Sequence, residues 1–204
     1  MRVSAALSES KTDYDFYRGI RVNDQKESCI LVKPDETMLE QIASYRSAFL
    51  AAGDSLDGTG PLRRMEDPQD WLKFNRDTEH RESAPVNWVP SEQFVLLRES
   101  DRAIVGMIQF RHEFNDFLRD YGGHIGYSVH PNERRKGYAK RMLADCLSVC
   151  KAFGLDRVLV TCLVENEASR RTILSCGGEY EKTVVYADDG VSLERYWIDL
   201  NRKG

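Results

Sequence analysis

Apolar residues follow two spacings along this chain, and the switching between them outlines its architecture. Cys29-Ile-Leu-Val32 is a short apolar run stopped by Lys33-Pro34, and it predicts a first strand. Met38, Ile42, Tyr45 and Phe49 then recur at helical spacing behind Asp35, a good helix cap, and Gly53 closes the stripe. Residues 54–60 are turn-rich. Trp71, Leu72 and Phe74 predict a second helix over 68–80, with Asp67 as cap and Pro68 at its first position. Strands are expected at 94–98 and 104–111, around a hairpin turn at 99–102, and a loop at 113–121 leads to a strand over 125–129. Ala139, Met142, Leu143, Cys146, Cys150 and Phe153 share one face of a long helix that Gly154 stops. The run at 157–164 (RVLVTCLV) is almost wholly apolar, as in a central strand covered on both faces. Asn166 opens a helix that ends near 176–178, and two strands, 181–186 and 193–200, flank a turn at 188–190.

The resulting order is β-α-α-β-β-β-α-β-α-β-β. This is an α/β (α+β) chain with a mixed, mainly antiparallel central sheet of about seven strands flanked by helices. Residues 27–204 form one domain. Residues 1–26 are polar and weakly patterned, an arm that is either flexible or docked on a neighbour; with the edge strands it permits a homodimer.

Composition narrows the functions. Net charge is −4, so no global basicity argues for nucleic acid. No apolar run is long enough to span a membrane and no signal segment opens the chain, which points to the cytoplasm. The five cysteines form no CxxC pair, so the expectation is reduced thiols and no metal.

Against this mildly acidic background one basic stretch stands out. Five of the eight residues from Arg134 to Arg141 are Arg or Lys, around Gly137. They lie between a strand and a helix N-terminus. Free N–H groups and the helix dipole make such a turn an anion seat, and Gly137 lets a ligand approach the backbone. The glycine pattern is neither the Walker loop nor the dinucleotide fingerprint.

Arg134-Arg-Lys-Gly137-Tyr-Ala139 matches the [RQ]-x-x-G-x-[GA] turn of the GCN5-related N-acetyltransferases, and Asn166 with Ser169 matches a second element of that family. The stretch from Gly123 to Tyr180 resembles the core of that family, in a poorly characterised bacterial branch. The resemblance implies an acyl-CoA N-acyltransferase-like fold and an acetyl-CoA-dependent transfer to a primary amine of a small molecule or protein. It implies that strands 125–129 and 158–164 splay apart to admit the pantetheine arm. The donor would then contact Val129, Arg134, Arg135, Lys136, Gly137, Tyr138, Ala139, Lys140, Asn166 and Ser169.

The catalytic groups are less well marked. Similar enzymes carry an acidic Tyr seven residues after the Asn, where this chain has Ile173. Tyr180 and Tyr186 are stand-ins. The missing Tyr leaves a non-catalytic acyl-CoA-binding module as the alternative function. His112 and Glu113, at the end of the preceding strand, are the candidate base residues, because alternation turns His124 away from the side of Ile125 and Val129. Asp54, Asp57 and the 58–60 loop are candidates to receive the amine.

Overall fold

The computed structural model describes residues 27–187 and 190–201. The proposed arm, 1–26, and most of the 188–190 turn lie outside these residues. Seven strands form one sheet: β1 (Cys29–Val32), β2 (Ser91–Arg98), β3 (Ile104–Arg111), β4 (Ile125–Val129), β5 (Arg157–Leu163), β6 (Gly178–Val185) and β7 (Ser192–Asp199). Their spatial order is β1-β2-β3-β4-β5-β7-β6, and only β4 and β5 run parallel. Four α-helices flank the sheet: α1 (Leu39–Ala52), α2 (Pro68–Thr78), α3 (Tyr138–Phe153) and α4 (Glu167–Ser175). The mixed, mainly antiparallel sheet is thus as expected.

Alternation along the central strands sends side chains into two cores. Phe94 and Leu96 meet Met142, Leu143 and Ile173 on the α3/α4 face. Val95, Leu97 and Met107 meet Ile42, Tyr45, Phe49 and Trp71 on the α1/α2 face. Helix ends follow the local chemistry. The Asp35 carboxylate accepts from Thr37 N at 2.8 Å, that of Asp67 accepts from Gln69 N at 2.8 Å, and Gly53 and Gly154 take left-handed conformations. No helix among the described residues is long and apolar enough to cross a membrane.

Three elements differ from the sequence reading. Strand β2 begins at Ser91, not at residue 94. Its polar start is buried and mostly partnered: Gln93 Nε2 donates to Gly58 O and Ile108 O and Glu92 pairs with Lys33, while Gln93 Oε1 has no hydrogen-bond partner among the described residues. Strand β6 begins at Gly178, with an irregular register between Tyr180 and Lys182. As an exposed edge strand it shows no alternation to read. The 113–121 loop contains a π-helical turn at Leu118–Gly122, tied down where Arg195 donates to the carbonyls of Arg119 and Asp120.

One contact clamps the α1–α2 connection onto the sheet. A Cβ on Gly58 (φ +71°) would lie 2.0 Å from Gly126 O of β4. Gly58→Ala should therefore cost about 3 kcal/mol or more, combining left-handed strain with a backbone clash. Gly53→Ala, at φ +68° with nothing within 4 Å, should cost only about 1 kcal/mol. Urea unfolding of the two variants checks this, and equal losses would refute the clamp.

Candidate active site

Strands β4 and β5 share a single pair, Ile125 with Val160. At that apex His124 N donates to Leu159 O at 2.8 Å, and Leu159 N donates to the His124 Nδ1 at 2.9 Å. The imidazole thus replaces a backbone acceptor. Beyond the apex no further β4–β5 pair forms. Yet β4 stays paired to β3 as far as Val129–Gly106, and β5 to β7 as far as Leu163–Leu193. The result is a wedge inside the sheet, with backbone groups of Tyr127 and Val129 facing it. The Tyr127 side chain extends over one face of the wedge, its hydroxyl 2.9 Å from Ser169 Oγ on α4. Burial raises the Tyr127 phenol far above its usual range.

At the open end, Val129 leads through His130 and a 3-10 turn (Pro131–Glu133) into α3. Gly137 (φ 87°) starts the helix with no side-chain cap, so its first-turn N–H groups face outward. Arg135 holds φ 63°, a strained state for a side-chain-bearing residue. The five cations divide. Arg134 Nη2 pairs with Asp54 at 2.8 Å, Lys136 with Glu133 at 2.7 Å, and Arg141 with Asp145 at 2.8 Å. Arg135 and Lys140 make no ion pair with a described residue.

The candidate donor residues divide between this turn and the start of α4, with different parts exposed. Tyr138 buries its ring and donates its hydroxyl to Glu27 at 2.7 Å, leaving only its backbone toward the turn. Ala139 is half-buried. Asn166 caps α4, its Oδ1 accepting from Ser169 N at 3.0 Å.

His112 and Glu113 are not brought to the wedge. Antiparallel pairing puts Gly106, not the end of β3, beside Val129, and six residues of strand separate the two by about 20 Å. The His112 ring stacks on Phe153, at the far end of α3, with centroids 4.4 Å apart, and its Nε2 lies 3.3 Å from Glu92. Glu113 pairs with Arg81. The sequence reading chose them as residues at the end of the strand before β4; antiparallel direction carries that end away from the open side of the wedge.

Ile173 is fully buried, under Gly178. Tyr180 sits on the outer strand β6, bonded to Thr183, and Tyr186 packs against Phe117 and Tyr121. His124 does face away from Ile125, lying against Phe114 and Trp197. His130 meets Tyr45 edge-on, and desolvation lowers its pKa.

A groove of about 540 Å³ opens beside the turn, lined by Asp54, Asp57, Arg63, Arg64 and Trp88 among others. The two Asp residues were expected here. The sequence reading missed both Arg and the Trp, for which the only signals are a basic pair after Gly60-Pro61 and an aromatic between Pro85 and Pro90.

A layered sheet broken by one wedge, with a basic, uncapped helix start at its mouth, defines a protein of the acyl-CoA N-acyltransferase fold. The chain belongs to the acetyltransferase (GNAT) family, whose model matches residues 62–177, and is an N-acetyltransferase. That family uses acetyl-CoA. No curated protein matches the chain by sequence. Among solved structures, ribosomal-protein-S5-alanine acetyltransferase from Vibrio fischeri aligns with TM-score 0.65 at 15% identity, over 89% of this chain and 98% of that one. RimJ from Mycobacterium smegmatis, in complex with CoA-disulfide, aligns with TM-score 0.64 at 19% identity, over 84% and 81%. Microcin C7 self immunity acetyltransferase MccE, in complex with acetyl-CoA and AMP, aligns with TM-score 0.63 at 17% identity, over 85% and 93%. At these identities the likeness shows the fold.

The apex carries a pH signature. Desolvation, with help from the Arg111 charge, lowers His124 from 6.5 to about 4. The folded imidazole stays neutral while the unfolded one takes a proton below pH 6.5, so stability is complete above that value. It should fall by up to ~1.4 kcal/mol per pH unit down to about pH 4. His124→Asn keeps an acceptor for Leu159 N and should flatten that slope in urea titrations from pH 7 to 4. Parallel curves for the two proteins would overturn the assignment.

Proposed function

We propose that this enzyme moves the acetyl group of acetyl-CoA to a primary amine by direct attack. The observation that carries the reading is the β4–β5 wedge opening onto the uncapped start of α3. An extended chain with amide groups complements the unpaired strand edges, as a missing strand would. A pyrophosphate complements the first-turn N–H groups of Gly137, Tyr138, Ala139 and Lys140, where Arg135 and Lys140 have charge to spare. Arg134 and Lys136 add positive field while held by Asp54 and Glu133. The exposed Asn166 keeps its amide N–H groups for the donor while its oxygen caps α4. Ser169 holds the Tyr127 hydroxyl at the wall of the wedge.

The donor supplies an activated thioester. The amine must shed its proton to attack, and the Val129 main chain, at the mouth of the wedge, is suited to polarise the carbonyl that receives it. MccE and RimJ, which share the fold, are described with acetyl-CoA and with a CoA-disulfide respectively, and both support a CoA donor here. The free thiols, four of them buried, favour a reducing compartment, the cytoplasm.

Calorimetry should detect micromolar-range binding of acetyl-CoA to the wild type. Gly137→Glu should abolish it, because Gly137 holds φ 87° and a carboxylate would enter the anion seat. Arg135→Ala should weaken it about tenfold, ~1.4 kcal/mol, the scale of one charge-assisted contact. Failure of the wild-type chain to bind acetyl-CoA would sink the reading.

A further inference from the structure

The groove beside the turn carries charge of both signs outside any direct ion pair among the described residues, and this constrains what can occupy it. Its position comes first. The Arg134 guanidinium reaches two places at once: Nη2 bonds Asp54 at the groove's lip, and Nε donates to Val129 O at 3.3 Å. The groove therefore adjoins the end of β4 through a single side chain. Its floor loop is clamped to the same strand through Gly58 and Gly126. A volume of about 540 Å³ suits a small ligand.

The charges come next. Asp54 is neutralised by Arg134. Arg63 is committed by geometry, since its Nη1 donates to Asp54 O at 2.6 Å. Asp57 is exposed and accepts from the Ser55 hydroxyl at 2.7 Å; it makes no direct ion pair among the described residues, though its charge acts on the buried Arg111 guanidinium. The exposed Arg64 side chain likewise has no hydrogen bond or ion pair to a described residue. One carboxylate and one guanidinium thus stand outside any direct ion pair among the described residues and can meet a ligand. Trp88 stands between them in character: 39% exposed, packed edge-on to Phe74 at 4.9 Å, and presented by a turn with Asn87 at φ 72°. It offers a fixed apolar wall.

We propose that this groove binds the acceptor as an amine that also carries a carboxylate, an amino acid or short peptide. Asp57 meets the ammonium before it loses its proton, Arg64 takes the carboxylate, and Trp88 packs against the body between them. A plain polyamine leaves Arg64 facing like charge, and an amine without an ionic tail leaves it unused. The inference rests on the acetyl-transfer reading and adds the class of acceptor to it.

The test compares amino acids and dipeptides with their carboxamides, and with simple diamines, on the full chain. Calorimetry with CoA present measures binding, and thiol release at saturating acetyl-CoA measures turnover. Accepted acids should bind and react with at least tenfold lower Kd and KM than their amides. Arg64→Gln should erase that preference while leaving acetyl-CoA affinity unchanged. Asp57→Asn should weaken acid and amide alike. Equal use of acids and amides, preference for a diamine, absence of binding by every acid, or an Arg64→Gln variant that keeps the preference each overturns the inference. Acetyl-CoA binding measured in parallel separates the two failures. If acetyl-CoA binds and no carboxylate preference appears, only the acceptor assignment falls. If acetyl-CoA does not bind, the acetyl-transfer reading falls first.

Discussion

The break between β4 and β5 is the constraint on which the rest of this structure depends. Two parallel strands with apolar covering on both sides would ordinarily zip along their whole length, because each unmade backbone bond in a buried setting costs about 1–3 kcal/mol. Here they part after one pair. The apex is over-determined. His124 closes it with two hydrogen bonds, and Gly123 turns at φ 65°, where a Cβ would strike Leu159 O at 2.6 Å. Arg111 donates to the carbonyls of Gly122 and Gly123 from below. Past the apex, Tyr127 extends from β4 over one face of the wedge to α4, where its hydroxyl lies 2.9 Å from Ser169 Oγ. The fold thus keeps a sheet edge available in its interior, the edge to which the proposed donor arm would add.

The same logic governs the charges at the mouth. A cluster of five cations would repel itself and the helix start, yet three are matched by Asp54, Glu133 and Asp145. Exposed pairs of this kind contribute little to stability, on the order of 0–1 kcal/mol each. Their effect is directional. They leave Arg135 and Lys140 as the unmatched charges, on either side of Gly137, and so concentrate the field at the first turn of α3.

Much of this was legible in the sequence, and the reasons for the misses are physical. Caps at Asp35, Asp67 and Asn166, stops at Gly53 and Gly154, and the stripe through Met142, Cys146 and Cys150 are local, and local rules read them. The start of β2 was missed because Gln93 and Glu92 are polar yet buried, a state that only partners distant in sequence make affordable. His112 was misread because alternation tells which face a side chain takes, never which end of the sheet it reaches; that depends on strand direction. The groove was half legible. Asp54 and Asp57 sit in an obvious turn, but Arg63, Arg64 and Trp88 join them only once α1, α2 and the 85–90 turn are packed.

Arg134 shows why the two halves of the site cannot be treated separately. Its guanidinium is shared between the Val129 carbonyl and the Asp54 carboxylate, with the Phe49 ring 5.6 Å away. An anion seated on α3 would compete with Asp54 for that guanidinium. To the extent that it wins, Asp54 regains a full negative charge at the lip of the groove, which then attracts an ammonium more strongly. Linkage makes the effect reciprocal: a cation held at Asp54 loosens Arg134 and strengthens the anion seat by the same free energy. The coupling needs no movement of the backbone, because both ligands act on one side chain. On the proposed reading, donor and acceptor each bind more tightly once the other is in place, a mutual coupling carried by a single arginine.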